Sequence, residues 1–245
     1  MKILFSPSTV PAFNLAAEEY LFSAKKDDFL FLYVNAPCVV IGSNQAVLNE
    51  VDMDFCIRND IRIVRRLSGG GAVYHDEGNL NYSFISNSQE GRSPLSADFL
   101  YPIVDVLSLF DIPAEIGKRK DLWLSQHFKI SGTASHVSKG RELHHGTLLY
   151  DTDLENLQNA LSPEFKNLKK KATASVPSPV KNIRNYLSEK GKETFLSADF
   201  FTLFTQKMQE YCQTSAFIAL SDEDIAEIEA LQKVKYTRRA WNYRM

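Results

Sequence analysis

The stretch RRLSGGGAVYHDEGNLNYSF, residues 65–84, constrains the fold more than any other. AVYH and NLNYSFIS (79–86) alternate in the way strands do. The segment Asp76-Glu77-Gly78-Asn79 between them has the composition of a hairpin turn. IRIVRR (61–66) reads as a further strand running into the glycines. Because glycine reaches φ > 0 at little steric cost, Ser68-Gly69-Gly70-Gly71 can turn successive N–H groups toward one point. Such a nest takes phosphate or carboxylate oxygens. A flexible turn between two strands accounts for the same residues. Arg65 and Arg66 add fixed cations, but their side chains leave a strand on opposite faces, so only one can serve a pocket. The stretch is not a Walker loop, since no Gly-Lys-Ser/Thr follows. Nor is it a dinucleotide fingerprint, which needs a glycine at Tyr74 and a helix afterwards.

Elsewhere, FLFLYVN (29–35) and CVVIG (38–42), split by Ala36-Pro37, read as a hairpin of two buried strands. Helical patterns cover 12–25, 52–59, 96–110, 154–161, 197–213 and 222–233. Short strands are expected near 121–124, 128–131 and 145–150, and residues 165–185 read as loop. The fold class is therefore α+β, a mixed or antiparallel sheet covered by helices, in a single domain over 1–245.

Composition serves mainly to exclude. A net charge of -2 on 245 residues lacks the basic excess of a nucleic-acid binder. The clusters Lys118-Arg119-Lys120, Lys169-Lys170-Lys171 and Arg238-Arg239 read as solvated faces, the first also as a docking face for an acidic partner. Cys38, Cys56 and Cys212 offer neither a disulfide framework nor a metal pair, which fits a reducing compartment. No apolar run approaches the about 20 residues of a membrane span, and the N-terminus resembles neither a signal nor a transit peptide. A cytoplasmic protein is expected.

Three further groups could carry chemistry. His75 and Asp76, adjacent on a strand, point apart, so His75 reads as a structural histidine rather than half of a triad. Lys129, between Phe128 and Ile130 on a strand, is either an exposed strand-end lysine or a point charge reaching into a pocket. Glu142, His144 and His145 lack the spacing of a zinc motif.

Taken together, NLAAEEYL (14–21), PCVVIGSNQ (37–45), the glycine stretch, KISGTASH (129–136), HHGTLL (144–149), SVPSPVKNI (175–183) and WNY (241–243) resemble, in order, the motifs of the lipoate–protein ligase family. The resemblance covers nearly the whole chain. It implies the catalytic-domain fold shared with biotin–protein ligases and class II aminoacyl-tRNA synthetases. It implies that lipoate is activated with ATP and Mg²⁺ to lipoyl-adenylate. The lipoyl group would then pass to a lysine of an acceptor: a lipoyl domain of the 2-oxoacid dehydrogenase complexes or the glycine cleavage H protein. By position, Lys129 would be catalytic, contacting carboxyl and phosphate. Arg66 would contact phosphate and ligand. Gly71, Ala72, Val73 and Tyr74 would run along the nucleotide, with Asp121 at the nucleotide and Mg²⁺. Ser68, Gly70, Gly71, His75 and Ala134 would lie near lipoate.

The chain departs from the family pattern at three places. Lys120 stands where the family usually has asparagine, in Arg119-Lys120-Asp121-Leu122. Ser178-Pro179 stands where Ser-Arg is usual. The chain stops at Met245, before the usual accessory domain, so a catalytic domain working alone, one working with a separate accessory polypeptide, or an enzyme that only transfers a preformed adenylate is expected. The rival readings are a lipoyl or octanoyl transferase and a non-catalytic lipoate- or adenylate-binding module. The transferase would need a nucleophilic cysteine shortly before the lysine motif, and residues 112–128 contain none.

Overall fold

The computed structural model describes the chain except residues 89–92, 94–95, 126, 165–171, 215–217 and 245. The expected Lys169-Lys170-Lys171 cluster lies outside the described residues. In chain order the elements are β1 Lys2–Phe5, α1 Pro11–Ser23, β2 Phe29–Val34, β3 Cys38–Ile41, α2 Val47–Glu50, α3 Met53–Arg58, β4 Arg62–Arg65, β5 Val73–His75 and β6 Asn79–Asn87. A 3-10 turn, Asp98–Leu100, leads into α4 Tyr101–Ser108. Then come β7 Ala114–Ile116, β8 Leu122–Leu124, β9 Phe128–Ser131, β10 Thr133–Ser138, β11 Arg141–Leu149, α5 Leu154–Ala160, α6 Ile183–Glu189, α7 Ser197–Tyr211 and α8 Asp222–Leu231. A π-helical turn, Gln232–Tyr236, and α9 Arg239–Asn242 close the described chain.

The largest sheet has five strands in the order β1-β2-β6-β11-β10, with two three-stranded sheets, β4-β3-β5 and β7-β8-β9, beside it. The all-apolar run of β2 follows from burial on both faces of the large sheet. Leu30 and Leu32 join Ile103, Phe200 and Phe204 on one side. Phe29, Phe31 and Tyr33 meet Leu15, Ala16 and Phe22 of α1 on the other. β3 alternates similarly: Cys38 and Val40 face the α1 side, while Val39 and Ile41 pack against Cys56, Ile61 and Tyr74.

Neither expected hairpin forms. β2 pairs with β1 and β6, whereas β3 pairs with β4 and β5 in another sheet. Both edges of β2 are already taken, and Ala36-Pro37 carries the chain across to the small sheet rather than folding it back. The 76–79 turn likewise joins two sheets. The Asp76 carboxylate fixes it by accepting from the backbone N–H of Gly78 at 3.0 Å and of Asp153 at 2.7 Å. β10, absent from the sequence reading, is a half-buried edge strand of small polar residues. The expected 165–185 loop gives way to α6 at Ile183, whose side chain is buried.

Lys120 occupies the left-handed region, with φ 59°. A Cβ is strained there, and asparagine tolerates the conformation better than lysine does. Lys120→Asn is therefore expected to raise unfolding free energy by about 0.5 kcal/mol in urea titration. A lower stability in the variant would contradict this account.

Candidate active site

A cavity of about 310 Å³ lies where the three sheets meet. Part of its wall is apolar and buried, with Leu15, Tyr33 and Val40 each at most 3% exposed. Another part is charged: the Lys129 ammonium stands 3.2 Å from Asp121 Oδ2, and Arg119 reaches the same oxygen at 3.6 Å. Burial pushes the Asp121 carboxyl up, but hydrogen bonds from Trp123 and Lys129 and the lysine's charge hold it below its ordinary range. The backbone of Lys129 is clamped on both sides. Its N–H donates to Pro179 O at 2.8 Å, and its carbonyl accepts from Lys181 N–H at 3.3 Å. Arg119 donates to Ser178 Oγ at 2.9 Å, so a cation reaches this segment although residue 179 is proline.

The glycine stretch forms one wall and is tied down by Arg66. That guanidinium donates to Ser68 Oγ at 3.0 Å, Val40 O at 3.0 Å, Gly69 O at 2.6 Å and Gly71 O at 2.7 Å. Gly70 bends the loop with φ 86°, which a side chain would resist. Burial brings Arg66 down to about 10, against the pull of Glu18, so it keeps its charge at neutral pH. Beyond Gly71, the hydroxyl of Ser175 accepts from the Ala72 N–H at 2.9 Å and from Gln45 at 3.1 Å. This holds residues 173–176 over the cavity as its outer wall.

Arg65 leaves the strand on the opposite side. It is fully buried and donates to the carbonyls of Gly42, Ser43, Gln45, Trp241, Asn242 and Arg244. It thereby joins the turn beneath the glycine loop to the chain's last described residues.

Of the residues singled out in the sequence, Lys129, Asp121, Arg66, Gly70, Gly71, Ala72, Val73, His75 and Ala134 line the cavity. Two do not. Tyr74 pairs with Val39, and its ring is buried with Ile41 and Cys56 behind the small sheet. Ser68 sits behind the wall, between Arg66 and His145.

The sequence reading missed a buried relay. Glu18 Oε1 lies 2.8 Å from His145 Nδ1, and His145 Nε2 lies 2.6 Å from Ser68 Oγ. Burial pushes Glu18 up, but His145, Ser83 and Arg66 outweigh it and hold the carboxyl below its ordinary range. Helical spacing carried a signal for this, because residues 15, 18 and 22 share one face of α1. His144 is engaged separately, with Ser135 at 2.8 Å and Glu142 at 3.3 Å.

His75 is buried in the cavity wall. Burial, helped by the nearby charges of Arg66 and His145, brings it down from 6.5 to about 3. A base whose affinity for protons is lower when folded lets the unfolded chain bind the proton first. Its effect on stability is absent above about 6.5 and destabilises progressively as pH falls toward the folded value. Between pH 7 and 5, His75→Gln is expected to lose about 2 kcal/mol less stability than the parent chain in urea titration. Equal losses would contradict the burial argument.

The lipoyl protein ligase A/B catalytic domain family matches residues 10–209. The chain is 39% identical to lipoate–protein ligase 1 of Staphylococcus aureus over 240 residues, covering 96% of this chain and 70% of that protein. It is 34% identical to lipoate–protein ligase LplJ of Bacillus subtilis over 240 residues, covering 95% and 70%. The bipartite lipoate–protein ligase of Thermoplasma acidophilum superposes with TM-score 0.81 at 22% identity, over 99% of this chain and 95% of that one. A lipoate–protein ligase A bound with ATP gives TM-score 0.81 at 23% identity, over 99% and 98%. The fold is thus that of a ligase catalytic domain with mixed sheets and covering helices. The chain belongs to the lipoate–protein ligase family.

Proposed function

We propose that the chain activates lipoate with ATP and passes the lipoyl group to a lysine of an acceptor lipoyl domain. One observation carries the reading: a single cavity is lined both by buried apolar side chains, suited to a fatty-acid tail, and by Lys129, Arg119 and Asp121 beside a glycine-rich wall. In the first step a lipoate carboxylate oxygen bonds to the α-phosphorus of ATP, and the bond to pyrophosphate breaks. In the second, the acceptor lysine's neutral amine bonds to the acyl carbon, AMP leaves, and the amine's proton passes to solvent or to the departing phosphate.

Lys129 reduces the repulsion between the two anions that must meet, and it stabilises charge developing on the carbonyl oxygen. Arg66 fixes the glycine wall and adds positive charge to the cavity lining. Mg²⁺ would neutralise phosphate charge. Asp121, the single acidic side chain on the cavity wall among the described residues, suits a cation that takes its remaining ligands from phosphate and water. The relatives support the substrates: one matched ligase is described with lipoic acid bound, one with ATP, and one together with its E2 lipoyl domain.

The thiols argue against an acyl-cysteine transferase. None of the three lines the cavity, and burial pushes Cys38 above its ordinary range and Cys56 up to about 11. Among the described residues no helix is long and apolar enough to cross a membrane.

Pyrophosphate release from lipoate and ATP, followed by the mass of an acceptor lipoyl domain, tests the reading. Lipoate-dependent release and an acylated acceptor are expected. If the acceptor gains no mass even with preformed lipoyl-adenylate, the chain is a binder and not a ligase.

A further inference from the structure

The large sheet has two edges, and they are finished differently. At β1 the chain covers its own edge, where the backbone N–H of Ile218 donates to Ile3 O at 3.0 Å. The strand at the other end is β10. Its sequence, TASHVS, holds none of the lysines, prolines or other charged residues with which proteins blunt an open edge.

The ladder decides which backbone groups of β10 point outward. The Thr147 N–H donates to Gly132 O at 3.1 Å, and β10 pairs with β11 in the register Thr133↔Gly146 to Ser138↔Arg141. Bonded and non-bonded pairs alternate along an antiparallel ladder. Ala134, His136 and Ser138 therefore bond to β11, while Thr133, Ser135 and Val137 turn their N–H and C=O groups away from it. The two-residue turn gives the same phase, since Lys139 and Gly140, at φ 51° and 72°, make Ser138–Arg141 its closing pair. Among the described residues no backbone group bonds to the outward atoms. The strand is half-buried, and Val137 is 41% exposed.

We propose that β10 is a docking edge for the acceptor protein, to which an extended segment beside the target lysine adds as a further strand. The proposal rests on the ligase function proposed above. Position selects this occupant. Thr133 and Ala134, at the start of β10, line the cavity, and Lys129 stands in the same motif. A lysine on the Ala134 face of an added strand lies beside that cavity, because side chains on one face of a sheet run side by side. Pairing through the main chain supplies affinity and leaves side chains to set specificity. The Thr133 hydroxyl donates to Lys120 O, which sets the basic turn 118–120 at the strand's start. An acidic flank on the acceptor would meet its counter-charges there.

Residue-resolved amide exchange tests this, with an unmodified E2 lipoyl domain as the probe. In the free chain the outward amides of Ser135 and Val137 are expected to exchange fast, and the inward amides of Ala134 and His136 slowly. Saturating lipoyl domain is expected to slow the outward pair about tenfold or more and to leave the inward pair unchanged. Val137→Pro removes one outward N–H and keeps the bonds to β11, a placement that edge strands tolerate. It is expected to lower kcat/KM for the lipoyl domain about tenfold in transfer from preformed lipoyl-adenylate, with lipoate-dependent pyrophosphate release unchanged. Val137→Thr, which keeps the N–H, is expected to stay within about twofold of the parent chain. Outward amides that are already slow, or that the lipoyl domain leaves fast, overturn the proposal whether or not a variant folds. So does slowing that follows the chain's own concentration, which would assign the edge to a second copy. A folded Val137→Pro with parental kcat/KM overturns it too. If the parent chain still acylates the domain in these cases, this proposal alone falls. If it neither releases pyrophosphate nor acylates the domain, the proposed function fails and the proposal with it.

Discussion

Lys129→Ala is expected to lower both pyrophosphate release and acyl transfer about a hundredfold or more, in a chain that still folds. The side chain is 20% exposed and lines the cavity, 3.2 Å from Asp121. In the proposed mechanism a preorganised cation there would act on charge that grows during each step, so its loss should weigh on rate more than on binding. The fold should tolerate the change, because the contacts that anchor residue 129 to Pro179 and Lys181 are made by its backbone. Asp121 would lose one of the hydrogen bonds that hold its carboxyl low, so it would bind a proton more readily. Single-turnover transfer from preformed lipoyl-adenylate isolates the second step. A variant with near-normal rates in both assays would remove Lys129 from the mechanism.

Arg65→Leu is expected to cost about 3–5 kcal/mol of stability, or roughly 10 °C in melting temperature. This arginine does no chemistry in the proposed mechanism. It is fully buried, and among the described residues no carboxylate answers its charge; its donors instead meet six backbone carbonyls. Leucine fills part of the volume but leaves those carbonyls without donors in a dry site, where each unpaired group is costly. Thermal melting with amide exchange over residues 241–244 measures the effect. A melting point within 2 °C of the parent chain, as an order-of-magnitude threshold, would show that water enters freely and that the hub is not built as described.

These two neighbours also show how far sequence reading reaches. Strand geometry alone says that Arg65 and Arg66 diverge, and they do. It does not say that Arg65 would be satisfied by residues about 180 positions later, because a carbonyl has no side-chain signature. The same limit explains the lost hairpins. The alternation of β2, β3, β5 and β6 is visible in the residues, but pairing depends on which edges remain free once all the strands are in place. A half-buried strand of Thr, Ala and Ser, such as β10, has almost no hydrophobic contrast to betray it. Within the site, the glycine wall and Lys129 stand out through recognisable motifs. Glu18 was hidden because a glutamate between apolar residues looks like the wet side of a helix.

The chain contains two tryptophans. Trp123 hydrogen-bonds Asp121, which lines the cavity. Trp241 donates its indole N–H to the carbonyl of Arg65 at 2.8 Å, with the Arg244 guanidinium 3.9 Å above its ring. Intrinsic fluorescence therefore samples two places at once, the surroundings of Asp121 and the seam that anchors the last helix. Replacing either indole with phenylalanine would turn the remaining one into a single-site optical reporter, with no dye attached.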